Sequence, residues 1–342
     1  MGNRFIDLAE DRSSVRVVLQ NMGLLCADAL LDVTPLTGGV SSNILKITAN
    51  EKQFCLKQAL PQLKVAKEWL APVERIFAEI DWMVTVAGII PDAVPHILGV
   101  DKERLCFAMD YLPAEHYTNW KSQLLAGDVD VDFAGQMGAV LNHIHRETAR
   151  NVELAQRFAW DDNFFSLRLE PYLSEIARQH PQHADYIHFI SARTLKTKLA
   201  LVHGDISPKN ILRGPAGPVI LDAECAWYGD PAFDLAFCLN HFLLKAVIAP
   251  DAETRRRLLA SFQIMADRYL DGIHWEPAQD FEARAATLLP CLLLARVDGK
   301  SPAEYLNDRH ADTVRRASQI LLERKLTKLN DIQVFWKKES ER

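Results

Sequence analysis

The chain has 342 residues, 49% hydrophobic and 25% charged, with a net charge of −6. That length supplies a large core and room for two domains or one two-lobed unit. The mild acidity and the lack of any Lys/Arg run exclude an extended nucleic-acid-binding face.

The six cysteines, Cys26, Cys55, Cys106, Cys225, Cys238 and Cys291, form no C-x-x-C pair and sit mostly in apolar runs. They read as small buried thiols of a reducing compartment rather than disulfides or a zinc site. The opening MGNRFIDLAEDRSS has no apolar stretch of signal-peptide length, and ATLLPCLLLA is too short to cross a bilayer. A cytoplasmic protein is expected.

From about Arg12 to Leu31 the spacing predicts an amphipathic lead-in helix. The runs LLDVTPL, NILKITA and QFCLKQA then alternate or carry β-branched residues, and Ala49-Asn50-Glu51-Lys52 suits a hairpin between two of them. Leu36 to Asn43, LTGGVSSN, is a turn rich in glycine and hydroxyls. Its backbone N–H groups and hydroxyls suit a triphosphate, and a plain turn has the same composition. Lys57, the lone charge in FCLKQ, reads either as a surface lysine on an edge strand or as a cation for a ligand. A helix should start near Pro72, with Val73, Ile76, Phe77, Ile80, Met83 and Val84 as its apolar stripe. VPHILGVD and RLCFAMDYL complete five strands and one helix, a small α+β lobe at 1–110.

Beyond Leu112 the spacing is helical in five long stretches: VDFAGQMGAVLNHIHRE, HADYIHFISARTLKTKL, FDLAFCLNHFLLKAV, ETRRRLLASFQIMADRYL and ARAATLLPCLLLARV. The hairpin ILRGPAGPVILD interrupts them, so 111–342 should be a second, mainly helical lobe. No internal repeat is visible.

Chemistry concentrates in LVHGDISPKNIL (Leu201 to Leu212) and VILDAECAWYGDPAFDLAF (Val219 to Phe237). A carboxylate at Asp205 can accept or orient the proton of a hydroxyl. An amide at Asn210 offers a neutral oxygen to a hard cation. Asp222 ends an apolar run and should leave its strand toward the same loop. One carboxylate plus one amide is a suitable protein share of a Mg²⁺ site, because Mg²⁺ keeps several waters and takes phosphate oxygens. Phosphoryl transfer needs that arrangement together with a base near the acceptor.

The order of glycine-rich turn, strand lysine, helix glutamate, HGDISPKN and DAE…GDPAFDLA resembles the aminoglycoside phosphotransferase and choline kinase family, relatives of the protein kinases, over roughly Leu31 to Lys245. The resemblance implies an α+β, two-lobed protein-kinase-like fold with a small five-stranded N-lobe, one helix, and a larger mainly helical C-lobe. It implies ATP and Mg²⁺ as cofactors and Asp205 as catalytic base. Asn210 and Asp222 would hold the metal. Gly38, Gly39, Ser41, Ser42 and Lys57 would contact the nucleotide phosphates, and the backbone from Met109 through Asp110 to Leu112 would form the hinge and bind the adenine. Asp234 would brace the catalytic loop, with His203 packing it. His143 and His145 resemble the family's helix end before its variable insert rather than metal ligands.

Glu74 and Glu79 both flank the helix stripe, and helical geometry does not choose between them as the partner of Lys57. The stretch LKQALPQLKVAKEWLAPVERIFAE resembles 5-methylthioribose kinases, which align an acid near Glu79; the loop ISPKN departs from theirs, which weakens that substrate. Glu224 reads as a second ion contact or a surface acid, and Lys209 as a γ-phosphate contact or a solvent-facing lysine.

For the acceptor, Trp160, Asp161, Asp162, Glu170 and Tyr172 could cage a cation. Arg296, Asp298 and Lys300 could reach an anionic or sugar-like acceptor, or cap their helix and pair with one another. The expected function is an ATP-dependent phosphotransferase acting on a hydroxyl of a small molecule, with a methylthioribose-like sugar first. An aminoglycoside or choline/amino-alcohol kinase and a nucleotide-binding pseudokinase are the alternatives. A protein kinase is disfavoured because GDPAFDLAF follows Asp222 with no room for an activation segment. Expected partners are a small alcohol or sugar acceptor, with neither nucleic acid nor membrane; a homodimer is admitted.

Overall fold

A computed structural model describes residues 5–26, 28–36, 41–62 and 72–341. The chain divides into two compact units, Met1–His116 and Tyr117–Arg342.

In the first unit the lead-in helix, α1 (Arg12–Asn21), is capped by Asp11, whose carboxylate accepts from the backbone N–H of Ser13 and Ser14. It stops ten residues short of Leu31 because Gly23 turns left-handed at φ 71°. Gly23 N then donates to Gln20 O and Leu24 N to Leu19 O, which closes the last turn. Strands β1 (Leu31–Pro35), β2 (Ser42–Ala49), β3 (Lys52–Ala59), β4 (Ile97–Asp101) and β5 (Cys106–Asp110) form one antiparallel sheet in the order β1-β2-β3-β5-β4. The two-residue connection from β2 to β3 is possible because Asn50 accepts φ 53°. The sheet packs on α1 through Val33, Leu45, Ile47, Phe54 and Leu56.

Helix α2 (Arg75–Ala87) begins three residues after Pro72 and buries Ile76, Ile80 and Met83 as expected. Val84 departs from the expected stripe and is 49% exposed, whereas Glu79, one turn below Met83, is buried. β3 is central rather than an edge strand, so the surface reading of Lys57 is overturned: the lysine is 3% exposed, opposite Ile44 and Phe107.

The second unit is mainly helical. All five expected helices form, as Val131–Thr148, Ala184–Lys196, Ala232–Val247, Ala252–Leu270 and Ala278–Asp298. The first and fourth lie close together because Gly138 has no side chain; a Cβ there would meet Met265 O at 2.5 Å. The hairpin Ile211–Gly214 with Gly217–Ile220 also forms, joined by a third short strand at Thr118–Asn119. Helices Asp308–Arg324 and Leu329–Ser340 complete the unit. The last of these is anchored where Trp336 Nε1 donates to Leu243 O at 2.9 Å. A wide-turn π-helical stretch, Phe165–Ser174, carries Pro171 inside it.

Candidate active site

The loop after strand Ala200–Val202 is fixed from three directions. Asp234, in the first turn of helix Ala232–Val247, accepts from His203 N at 2.7 Å and Gly204 N at 2.8 Å. Its Oδ2 also meets His145 Nε2 at 3.2 Å, and the other nitrogen of that ring, Nδ1, lies 2.6 Å from the Tyr269 hydroxyl. Asp234 and His145 are both fully buried, so the carboxylate is neutralised by donors from two elements and the loop cannot shift without orphaning them.

His203 holds the other side. Asp205 N donates to His203 Nδ1 at 3.0 Å, which leaves the proton on Nε2, 3.1 Å from Leu221 O. Burial lowers the pKa of His203 against the raising effect of Asp234, so the ring stays neutral and works as a brace. Gly204 is required between them. Its φ is +79°, and a Cβ would meet Cys225 O at 2.7 Å.

Asp205 is therefore held at the loop's centre. Its Oδ2 receives Asn210 Nδ2 at 2.8 Å and pairs with Arg168 Nη2 at 2.9 Å and Lys209 Nζ at 3.2 Å. Burial pushes its pKa up, and Arg168 and then Lys209 outweigh that, leaving the carboxyl below its usual range. Among the described residues Oδ1 takes no hydrogen bond. The aspartate is thus a fixed, ionised carboxylate with one oxygen held by cations.

Asn210 directs its amide nitrogen to Asp205, donating also to Asp205 O at 3.1 Å, so its carbonyl oxygen points away as an acceptor. Leu221 N donates to Asn210 O at 2.8 Å, tying the strand end before Asp222 to the loop. Asp222 itself adopts φ 68°, an uncommon conformation for a residue other than glycine. An amide oxygen and a carboxylate suit a hard cation that completes its shell with water and phosphate. Among the described residues no three His, Cys, Asp or Glu side chains group around a metal-sized volume.

Arg168 is the residue that sequence reasoning missed. It comes from the π-helical stretch and inserts its guanidinium beneath the loop. Nε donates to Gly204 O at 2.6 Å, Nη1 to Leu167 O at 2.7 Å, and Nη2 reaches Asp205. Its position 37 residues before the aspartate belongs to no local motif; the one signal was a lone arginine in an otherwise apolar FFSLRL. Glu224 is buried, correcting the surface-acid reading, and its carbonyl accepts from Asn163 Nδ2 at 2.9 Å. Lys209 is half-exposed and faces Asp205.

In the first unit Lys57 Nζ donates to Glu79 Oε1 at 2.7 Å, both side chains being buried, while Glu74 is exposed at the helix start. Ser41 O accepts from Arg75 Nη2 at 2.6 Å and from Leu60 N at 3.0 Å, and Ser42 opens β2. Gly38 and Gly39 lie outside the described residues. Asp110 closes β5, where its carboxylate accepts from His96 N at 3.1 Å; Leu112 follows it, half-buried.

The acceptor candidates separate. Asp161 pairs with Lys198, and Glu170 with Lys300 at 2.7 Å and Arg178 at 3.0 Å. Asp298 is taken by Arg315 at 2.7 Å and His180 at 2.8 Å. Arg296 turns back on the segment after its helix, Nη1 donating to Ser301 O at 2.5 Å and Ser301 Oγ at 3.1 Å, and reaches the Tyr172 hydroxyl at 3.4 Å. His143 lies at the surface, 3.7 Å from Glu147.

The sequence profile of the phosphotransferase enzyme family, which takes its short name from the aminoglycoside phosphotransferases, matches residues 32–269. The chain belongs to that family. Its curated relatives include methylthioribose kinases of Bacillus mycoides, 25% identical over 251 residues, and of Erwinia tasmaniensis, 23% identical over 252 residues. Each match covers 65% of this chain, which spans 62% of the length of the relative. Among solved structures, a choline kinase from Cryptosporidium parvum superposes with a TM-score of 0.55 at 11% identity, covering 92% of this chain and 96% of that one. An amicoumacin kinase in complex with AMP-PNP and Ca²⁺ gives 0.52 at 14% identity, covering 93% and 97%. The family's fold is protein-kinase-like and mixed α+β, as the five-stranded sheet and the helical second unit here are. Among the described residues no helix is long and apolar enough to cross a membrane.

Proposed function

We propose that the chain is an ATP- and Mg²⁺-dependent phosphotransferase that phosphorylates a hydroxyl of a small molecule. The observation that carries this reading is Asp205: an ionised carboxylate fixed by Arg168, Lys209 and Asn210 at one oxygen, with the other oxygen unbonded. Oδ1 orients the acceptor hydroxyl and takes its proton. The acceptor oxygen then forms its bond to the γ-phosphorus, the β–γ bridging oxygen leaves with ADP, and the proton passes from Asp205 to solvent. A carboxylate with a lowered pKa is a weak base, which fits a loose transition state in which the hydroxyl loses its proton late.

Asn210, through its amide oxygen, and Asp222 would hold Mg²⁺, which neutralises charge on the phosphates when bound. Lys57, held by Glu79, would contact the α/β-phosphates, with Gly38, Gly39, Ser41 and Ser42 as further phosphate contacts, and the backbone of Asp110 to Leu112 would receive the adenine. The membership of the family and the methylthioribose kinases among the relatives support a sugar-like acceptor. A choline- or aminoglycoside-type cation is less favoured, because Asp161 and Glu170 are already neutralised by lysine and arginine. The test is an ADP-release screen with ATP and Mg²⁺ over sugars, sugar acids, amino alcohols and aminoglycosides. Acceptor-dependent ADP release with a matching phosphorylated product by mass spectrometry is expected. Nucleotide binding without product from any alcohol would instead make the chain a pseudokinase.

A further inference from the structure

Behind the Asp205 loop the second unit holds a group of basic side chains that the proposed chemistry does not use. Lys245 and His241 lie one helical turn apart on Ala232–Val247, 1% and 8% exposed. Among the described residues, Lys245 Nζ and His241 Nε2 are buried with no hydrogen-bond partner, and the same holds for Arg296 Nε, the Tyr305 hydroxyl and Ser207 Oγ. Lys245 Nζ sits 4.8 Å from the centre of the Tyr305 ring. Burying polar groups without partners is costly, and a buried ammonium costs most of all, so Lys245 is the group here that calls for a ligand.

The group adjoins Asp205. The guanidinium of Arg168, paired with Asp205, lies 5.8 Å from the Phe237 ring. That ring packs against His241 at 5.9 Å and against Tyr172 at 5.6 Å, and Tyr172 carries the contact to Arg296. Ser207 belongs to the loop itself. On the other side Asn119 Nδ2 donates to Lys209 O at 2.8 Å, which ties the helix starting at Trp120, and with it Lys121, to the same loop.

The charge balance is positive. Lys121 is paired with Glu304 and Lys209 with Asp205, which leaves Lys245 and Arg296 with no carboxylate partner among the described residues. Burial, and then Lys121 and Arg296, push Lys245 down to about 7, so its proton is held weakly until an opposite charge arrives. His241 is lowered further, by burial and then by Lys245, Arg296, Lys209 and Lys121. A neutral sugar brings no charge to Lys245 Nζ or to the positive side of Arg296 left over from Ser301 and Tyr172, and a cationic alcohol is repelled by them.

We infer that the acceptor is an anionic alcohol, whose carboxylate or phosphate seats on Lys245, His241 and Arg296 while its hydroxyl reaches Asp205. This rests on the phosphotransferase reading above and narrows its acceptor from small-molecule alcohols in general to sugar acids, hydroxy acids or sugar phosphates, against a neutral methylthioribose-like sugar. It also assigns Lys245 as a specificity residue rather than a catalytic one.

The test is ADP release with ATP and Mg²⁺ on matched alcohols: ribose and glycerol as neutral members, ethanolamine as the cation, gluconate and glycerate as carboxylates, ribose 5-phosphate and glycerol 3-phosphate as phosphates. The expected result is a kcat/KM for one anionic class at least about tenfold above its neutral parents, with the carboxylate and phosphate arms telling which anion is seated. Lys245→Met should raise KM for that anion roughly 10- to 100-fold, the range for a hydrogen bond to a charged group. The same variant should melt no lower than wild type without acceptor, because an unpartnered buried cation has been removed. Turnover of neutral or cationic alcohols with the anions inert would overturn the inference while leaving the kinase reading intact. A melting temperature lowered by Lys245→Met, with KM unchanged, would overturn it too, by making Lys245 a packing residue on Tyr305. Silence across every class would refute the kinase reading itself, and the inference with it.

Discussion

Arg168→Met removes one side chain that serves two ends of the site. The guanidinium satisfies the carbonyls of Gly204 and Leu167 and forms a buried pair with Asp205. Breaking such a pair from one side costs about 3–5 kcal/mol, because the remaining charge stays buried. Here Lys209 and Asn210 still hold Asp205 Oδ2, which places the expected loss near the lower end, about 3 kcal/mol. Asp205→Asn should cost less, since the guanidinium keeps both carbonyl bonds. The double variant should be more stable than the sum of the two by about 1–3 kcal/mol, the coupling of groups in one network. Urea unfolding of the four proteins, with m-values compared, measures this. A loss below about 1 kcal/mol for Arg168→Met, or strict additivity in the double variant, would refute the claim that Arg168 and Asp205 act as one unit.

Further outcomes follow from the same geometry. Asp205 titrates below the usual carboxylate range, so its contribution to stability is complete above about pH 4 and lost as pH falls through the lowered value. Correspondingly, the acid limb of kcat/KM due to Asp205 should lie below the ordinary aspartate range, and Arg168→Met should move it upward in a pH profile; an unmoved limb would contradict the assigned pairing. Gly204→Ala forces a side chain into a left-handed position against Cys225 O, and should cost about 1–3 kcal/mol by denaturation together with a fall in kcat. An alanine variant of wild-type stability would show that the loop is free to move.

The site was legible where its chemistry is packed into consecutive residues. In HGDISPKN, Asp205 and Asn210 stand five apart on a loop whose ends are fixed by apolar strands, so their meeting follows from local geometry. The approach of the strand end before Asp222 was legible in the same way: Leu221 N donates to Asn210 O at 2.8 Å, so the turn that carries Asp222 starts against the loop. Glu79 and Glu74 could not be separated by helical angle alone, because both flank the apolar stripe and only burial against the sheet distinguishes them. Lys57 was ambiguous for a related reason: a lone charge in an apolar run reads the same on an edge strand and a central one, and strand order is a long-range property. Arg168 was invisible because its partner lies far along the chain. His241 and Lys245 were hidden in a helix that reads as core, though their spacing of four put both on one face. Apolar spacing runs on past the end of the lead-in helix because periodicity does not register the left-handed turn at Gly23.

The account rests on Asp205 as the group that receives the acceptor's proton, and steady-state kinetics of Asp205→Asn test it most directly. With the acceptor found in the screen, kcat should fall by roughly 10²–10⁴ while nucleotide affinity, read by calorimetry, stays within about threefold of wild type. A variant that keeps most of its kcat, or one that loses nucleotide binding in proportion to activity, would contradict the role assigned to Asp205.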